Sequence, residues 1–131
     1  MKDYKLSLYF GYHDSSVTVS DNEQILLHLE GERYFRKKHI HVDASQMIEL
    51  INIALHYLHI DIETVNELFL AKWNNQFPTE NLILNGKSFT PILTSHHENH
   101  VGSLLPTGIS DQCLVICADG GSEDGTTKFY L

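Results

Sequence analysis

The first thirty residues contain three short runs in which apolar residues alternate with more polar ones. The apolar side chains recur at every second position within residues 5–10, 15–20 and 25–29. A period of two is typical of a strand that buries one face. Turn-forming residues such as Asp21-Asn22 separate the runs. Three strands joined by tight turns predict an antiparallel meander, which requires any fold of this chain to begin with a sheet.

The apolar period changes from two to about 3.6 near residue 47, which predicts a helix packed on that sheet. Asp43 and Gln46 have the spacing of a capping box, so the helix should begin just after Asp43. A fourth strand is predicted over residues 68–73. Residues 74–91, which include two prolines, four Asn residues and one Gly, are predicted to form an exposed loop. The apolar stripe of the helix is formed by Met47, Leu50, Ile51, Ala54, Leu55 and Leu58.

A second helix and two further strands are predicted in the last third of the chain. Ser95 can cap a short helix from His96 to about Leu105. The apolar run from Cys113 to Ala118 is typical of a central strand buried on both faces. Residues 126–131 begin another strand after a turn. The predicted fold is therefore α/β, with a mixed sheet in the order β-β-β-α-β-α followed by the start of a β-hairpin.

Composition and charge exclude several classes of protein. The chain has 131 residues, 42% of them hydrophobic and 20% charged, which suits one small globular domain. Its 17 acidic and 9 basic residues give a net charge of -8, which argues against nucleic acid or an anionic membrane as a partner. The sequence has neither an apolar run of about 20 residues nor a cleavable signal pattern, so we expect a cytoplasmic protein. Cys113 and Cys117 should lie about 13 Å apart in one strand, too far for a disulfide.

Histidines between residues 96 and 100 form the first candidate site. His96 and His100 are four residues apart, so on a helix they share a face and can bind one metal ion. His97 should point about 100° away from them. Asp119 follows the predicted buried strand and could complete a set of two histidines and one carboxylate, which suits iron(II), manganese or zinc. A solvated helix face and an ordinary hairpin turn are the alternatives.

Two turns rich in glycine and hydroxyl groups form the second candidate. Backbone N–H groups and hydroxyls in such turns can donate to phosphate oxygens, although acidic neighbours would repel a bare phosphate. After the first strand, Asp14 and the hydroxyls that follow it could hold a metal-bound water or a phosphate. A plain hairpin and an Asx turn are the alternatives. The residues in question are Asp14, Ser15 and Ser16 in one turn and Gly120, Gly121 and Ser122 in the other.

A basic cluster forms the third candidate. Arg33, Arg36, Lys37 and Lys38 make up four of the nine basic residues of this acidic chain. Guanidinium groups bind phosphate or carboxylate with two hydrogen bonds at once, so the cluster suits a small anionic ligand. A solvated surface with alternating charges is the alternative.

Taken in chain order, four segments that contain these candidate residues resemble the N-terminal domain of the nodulation-type and antibiotic-biosynthetic O-carbamoyltransferases. The matching segments are residues 11–16 (GYHDSS), 30–39 (EGERYFRKKH), 96–100 (HHENH) and 118–121 (ADGG). The family is similar to the ATPase superfamily of actin and the sugar kinases. The resemblance therefore implies a ribonuclease-H-like, actin-like ATPase half-domain. Residues 1–110 would form its first half and residues 111–131 the first hairpin of the second half.

The resemblance also implies an activity and its residues. Such an enzyme forms carbamoyl-adenylate from carbamoyl phosphate and ATP, then transfers the carbamoyl group to a hydroxyl of a small molecule. His96, His100 and Asp119 would bind the metal, iron(II) first and zinc or manganese as alternatives. His13, as a base, and Asp14 would be catalytic. The residues that would bind nucleotide or phosphate are Ser15, Arg33, Arg36, Lys38, Gly120, Gly121 and Ser122.

Family members continue well beyond residue 131, so we expect this chain to be a fragment that alone turns over little or no substrate. One alternative is a non-catalytic module of the same fold that binds metal or nucleotide and is completed by a partner chain. Another is a metal-dependent hydrolase that uses His96 and His100. The uncapped apolar strand at residues 126–131 also predicts pairing with a second copy in a homodimer.

Overall fold

The computed structural model describes residues 3–11, 13–72, 80–102, 114–118 and 127–130. The protein is α/β, with a mixed sheet of five strands and few helices. Within this described part, no helix combines the length and the apolar composition needed to cross a membrane.

The chain opens with the predicted meander. Strand β1 (Tyr4–Phe10) pairs antiparallel with β2 (Ser16–Ser20), and β2 pairs antiparallel with β3 (Ile25–Glu30). The predicted alternation is confirmed in β1 and β2, where every second side chain is buried and the others are half-buried. The buried face of these two strands is formed by Leu6, Leu8, Phe10, Val17 and Val19.

The short helix α1 (Gly31–Tyr34) and the longer helix α2 (Ala44–Tyr57) follow the meander. The predicted capping box is confirmed: Asp43 Oδ1 accepts from the Gln46 backbone N–H at 2.8 Å, and Gln46 Oε1 accepts from the Asp43 N–H at 3.0 Å. Helix α2 packs against β2 and β3. Its apolar stripe is buried at Met47, Leu50, Ile51, Ala54 and Leu55.

A 3-10 helix (Ile62–Thr64) leads into strand β4 (Val65–Lys72), which lies parallel to β1. The strand begins three residues earlier than the sequence predicts. Strand β3 runs in the same direction as β4 in this sheet, and strands of one direction cannot be joined by a tight turn. The segment that contains α1 and α2 is therefore the crossover from β3 to β4. Leu68 and Leu70 of β4 join the core beneath α2.

The prediction of an exposed loop over residues 74–91 is wrong for its second half, because these residues form a hairpin. Strand β5 (Leu82–Leu84) pairs with β6 (Lys87–Phe89) through the turn Asn85-Gly86. Both turn residues have positive φ, 49° and 88°, which Asn-Gly turns favour. Residues 74–79 lie outside the described residues. The hairpin buries Leu82, Leu84 and Phe89 in the core.

Two polar side chains of this hairpin, Lys87 and Asn85, bind it to the rest of the fold. The Lys87 ammonium donates to the backbone carbonyls of Glu63 at 2.8 Å and Val65 at 2.7 Å. Asn85 donates to the side chain of Asn52 on α2 at 2.9 Å. Strand β7 (Ile92–Thr94) then completes the main sheet, whose order is β3-β2-β1-β4-β7.

The later part of the chain contains helix α3 (His96–Gly102), strand β8 (Val115–Ala118) and strand β9 (Thr127–Tyr130). Helix α3 packs against β8, and β8 pairs antiparallel with β9. The prediction of a central strand buried on both faces is wrong: Cys117 is buried, but Ile116 is 58% exposed. Among the described residues, β8 and β9 form a separate sheet of two strands.

The chain divides into two compact units, Met1–Leu93 and Thr94–Leu131. The division after residue 110 that the family resemblance implies stays a prediction. Cys117 is a free thiol, as expected, and Cys113 lies outside the described residues.

The α2 cap predicts a pH-dependent contribution to stability. Hydrogen bonds from the Gln46 backbone N–H and then the Ser45 hydroxyl hold the pKa of Asp43 below its usual value. A carboxyl whose pKa is lower in the folded state stabilises the fold above its unfolded pKa of about 4, and that contribution is lost as the pH falls through the folded pKa. We expect Asp43→Ala to lower the thermal midpoint at neutral pH, with a gap to wild type that narrows in acid.

Thermal unfolding followed by circular dichroism across this pH range measures the gap. Asp43→Asn is the matched control, because an amide caps a helix without titrating. We expect this variant to gain stability relative to wild type as the pH falls. A gap between wild type and Asp43→Ala that stays constant down to acid pH would contradict the prediction.

Candidate functional site

The turn between β1 and β2 holds three of the predicted site residues, and Ser15 anchors it. Ser15 is fully buried, and its carbonyl accepts a hydrogen bond from the Gly31 N–H at 2.7 Å. Its hydroxyl lies 3.5 Å from the Gly11 carbonyl oxygen. Nδ1 of His41 lies 3.1 Å from that same oxygen. The turn is therefore tied both to the start of α1 and to the segment that precedes α2.

The other two residues of this turn, His13 and Asp14, meet a histidine from the loop after α1. Nδ1 of His13 hydrogen bonds to Oδ2 of Asp14. Nδ1 of His39 lies 3.6 Å from Oδ1 of the same carboxylate. The rings of His13 and His39 are edge-to-face, with centroids 5.9 Å apart. All three side chains are at least half exposed, so the group is open to solvent.

The sequence did not identify His39 as a site residue, although it ends the basic segment at residues 30–39. The arginines and lysines of this segment indicate an anion site, and no periodicity links His39 to Asp14, which lies 25 positions earlier. In the structure both residues have positive φ, 59° at Asp14 and 53° at His39. Asp and His are among the side chains that most often adopt this left-handed conformation.

Gly31 and Glu32 bring the two loops together. A Cβ at Gly31 would lie 3.1 Å from the Ser15 carbonyl oxygen and 3.2 Å from Val42 Cγ1, closer than most side chains tolerate. Glycine therefore lets α1 approach the turn after β1. Glu32 Oε2 then accepts from the His39 backbone N–H at 3.3 Å. The result is a short scaffold that holds His39 beside Asp14.

Tyr34 fixes α1 to α2. Its hydroxyl donates to Glu49 Oε1 at 2.8 Å. This hydrogen bond, followed by partial burial and the charge of Glu49, raises the pKa of Tyr34 above its usual value. The phenol therefore stays protonated and keeps its hydrogen bond through the neutral range.

The three predicted basic ligands, Arg33, Arg36 and Lys38, line one pocket together with Glu32. Its volume is about 500 Å³. Arg33 is held at the rim by Glu30, with Nε 3.2 Å from Oε2, and its side chain is 79% exposed. Glu32 offsets part of the positive charge, so the pocket carries a net positive charge of about two. It has the size and charge for a small anion.

Helix α3 presents the predicted histidine pair. Ser95 caps it as predicted, and Glu98 completes a capping box by accepting from the Ser95 N–H at 2.8 Å. His97 is fully buried and so lies off the shared face, as expected. The Nε2 atoms of His96 and His100 are 3.0 Å apart, and their rings are edge-to-face with centroids 4.5 Å apart.

This separation fits two ligands of one metal ion. Two neighbouring nitrogens about 2.1 Å from an octahedral ion, and so about 90° apart around it, are separated by about 3.0 Å. Between neutral imidazoles the same distance is that of a hydrogen bond, in which one Nε2–H donates to the other Nε2. His100 is exposed and His96 half-buried, so an ion can reach the pair from solvent.

The other predicted residues of this region, Asp119, Gly120, Gly121 and Ser122, lie outside the described residues. Asp119 directly follows Ala118, the last residue of β8, and β8 packs against α3. The third predicted ligand thus follows in sequence a strand that contacts the helix bearing the first two.

No family model matches this chain, and no curated protein matches it.

Proposed function

We propose that this chain carries part of the active site of an O-carbamoyltransferase. The enzyme would form carbamoyl-adenylate from carbamoyl phosphate and ATP, and transfer the carbamoyl group to a hydroxyl of a small-molecule acceptor. The observation that carries the proposal furthest is the pair His96 and His100, whose Nε2 atoms are separated as two ligands of one ion would be. The resemblance of four ordered segments supports it.

The fold proposed with this function is an actin-like ATPase half-domain of the ribonuclease-H type. In its support, an antiparallel meander is followed by a crossover helix and a strand parallel to β1. In α/β sheets, ligands bind beyond the carboxyl ends of parallel strands. The turn with His13 and Asp14 follows the carboxyl end of β1, so it has the right place in the topology for a site.

The metal would be held by His96, His100 and Asp119, with iron(II) first and zinc or manganese as alternatives. Two imidazoles and one carboxylate are a donor set that suits these ions and leaves positions open for a substrate oxygen. When bound, the ion would supply Lewis-acid stabilisation of negative charge on the mixed anhydride. The capping box at Ser95 and Glu98 orients the first turn of the helix that bears both histidines.

The anionic donor would be recognised by Arg33, Arg36 and Lys38. Their shared pocket of about 500 Å³ accommodates a molecule of the size of carbamoyl phosphate. Guanidinium groups suit phosphate oxygens because two parallel N–H groups can donate at once. The backbone and hydroxyl donors of Gly120, Gly121 and Ser122 would contact the nucleotide phosphates, and Ser15 would support the turn that carries the catalytic pair.

His13 would accept the proton of the acceptor hydroxyl. When its Nδ1–H donates to Asp14, the lone pair is on Nε2, which is the state that a general base requires. Asp14 would orient the imidazole and stabilise it once it is protonated.

A second candidate function is a non-catalytic module of the same fold that binds metal or nucleotide and pairs with another chain. The hairpin of β8 and β9 favours it. Ile116 and Phe129 are cross-strand partners, and they are 58% and 67% exposed. Adjacent exposed apolar side chains on a strand pair favour contact with another surface, and a second copy of this chain is the proposed partner.

The metal proposal predicts that His100→Ala removes one equivalent of bound iron(II). The physical reason is that His96 and Asp119 alone would hold the ion much less tightly against water than the full set of three ligands. Anaerobic equilibrium dialysis followed by metal analysis measures the stoichiometry. His56→Ala is the matched control, since His56 is another exposed helical histidine. Equal metal content in wild type and His100→Ala would contradict the metal site.

The anion proposal predicts that Arg36→Gln weakens binding of carbamoyl phosphate by about tenfold or more, the usual effect of losing a charged hydrogen bond. Isothermal titration calorimetry measures the affinity. Lys37→Gln removes the same charge from the neighbouring position, which does not line the pocket, and should change the affinity little. Equal weakening by both variants would show that the affinity depends only on the overall charge of this surface, and would argue against a specific anion-binding pocket.

The pairing proposal predicts that the chain forms dimers at high concentration. Phe129→Lys should shift the equilibrium to monomer because it places a charge on the exposed apolar face. Light scattering coupled to size-exclusion chromatography measures the mass. Tyr57→Lys is the control, because Tyr57 is 72% exposed on α2. A monomer at all concentrations for the wild-type chain would rule out the dimer.

A further inference from the structure

We propose that His13, Asp14 and His39 form a second divalent-cation site, of the zinc class, in the first unit of the chain. Each residue offers one ligand atom, and these atoms all lie within 4.8 Å of one another. Two imidazoles and one carboxylate form a common donor set for zinc and for transition metals of similar size. The proposal concerns this cluster alone and does not depend on the carbamoyltransferase activity.

The ligand atoms come together from two separate loops. Nδ1 of His13 is directed at one oxygen of Asp14, and Nδ1 of His39 lies 3.6 Å from the other. Two ligands about 2.1 Å from a tetrahedral ion are separated by about 3.4 Å. His39 is therefore already close to ligand spacing from Asp14. The hydrogen-bonded pair of His13 and Asp14 is closer than two ligands can be, so these two side chains must separate when an ion replaces the proton between them.

Both loops are anchored independently of any ion. The turn with His13 and Asp14 is tied to α1 by the hydrogen bond from Gly31 N–H to the Ser15 carbonyl. The loop with His39 is tied to the same helix by the hydrogen bond to Glu32. Ligands that are already placed by a scaffold lose less freedom on binding, and so bind more tightly, than ligands on free loops.

The surroundings indicate what would complete the coordination shell. Three protein ligands leave at least one tetrahedral position open, and the cluster is exposed. Glu32 both anchors His39 and lines the pocket of Arg33, Arg36 and Lys38. The basic pocket would favour an anionic oxygen ligand over a second cation at the open position.

Metal binding and general-base catalysis exclude each other at His13. An ion on Nδ1 would replace the hydrogen bond to Asp14 and leave the proton on Nε2, where a base needs its lone pair. Occupancy of this site would therefore switch off any reaction step that uses His13 as a base.

The test uses the full chain with His96→Ala and His100→Ala, which removes the other histidine pair. Zinc is titrated by calorimetry, and cobalt(II) is titrated by visible absorption as a probe of coordination number. We expect one equivalent of zinc and the strong absorption of four- or five-coordinate cobalt. Adding His39→Asn should weaken zinc binding by about tenfold or more.

Asparagine is chosen because it tolerates the left-handed backbone that His39 adopts. His59→Asn is the matched control, since His59 is also an exposed histidine with positive φ, 54°. It should leave zinc affinity unchanged. If His39→Asn fails to fold, Asp14→Asn provides the same comparison, because it keeps the shape and the backbone preference of aspartate.

The proposal is overturned if the background variant binds no zinc, or if His39→Asn and Asp14→Asn bind zinc as tightly as the background. It is also overturned if His59→Asn weakens binding as much as His39→Asn does. None of these outcomes bears on His96 and His100, which are absent from the background, so failure here is distinct from failure of the carbamoyltransferase proposal.

Discussion

The parallel pairing of β1 with β4 is the constraint on which the first unit depends. To place β4 parallel to β1, the chain must cross over from β3 on the far side of the meander, and this crossover contains both α1 and α2. Because α2 must then lie across the meander, its apolar stripe meets the buried faces of the strands and closes the core. The same pairing leaves the turn after β1 at a carboxyl end of the sheet, where side chains can gather around a ligand without disturbing that core.

A single close approach connects this core to the candidate chemistry. The backbone of Gly31 reaches the Ser15 carbonyl because no side chain intervenes. That contact places the start of α1 against the turn, and the loop that follows α1 then returns His39 to Asp14. A site formed in this way depends on main-chain geometry more than on side-chain packing, so substitutions at its ligands can change binding while the core remains intact.

The pair of His96 and His100 depends only on the local geometry of a helix. His96 and His100 are neighbours because an α-helix turns once in 3.6 residues, and a capping box starts that helix directly before them. Their juxtaposition requires a helix of only a few turns and no long-range contact. The chain thus contains one histidine cluster that is local in sequence and one that is assembled by tertiary structure.

Much of the fold was readable from local patterns. The alternation in β1 and β2, the capping box of α2 and the Ser95 cap depend on residues within a few positions of one another, and all were predicted. The hairpin at Asn85-Gly86 was missed although its turn signal is local, because three-residue strands show too little alternation against a background of prolines. The burial of β8 was misjudged because an apolar run alone does not tell which faces of a strand are covered by other elements.

The sequence by itself determined the opening meander, the start of α2 and which histidines share a helix face, since these follow from short-range periodicity and capping. Only the tertiary structure decided that His39 meets Asp14 and that three basic side chains share one pocket with Glu32. Those contacts depend on how far α1 can approach the turn after β1. That distance is set by the packing of a backbone carbonyl against a glycine, which no periodicity in the sequence records.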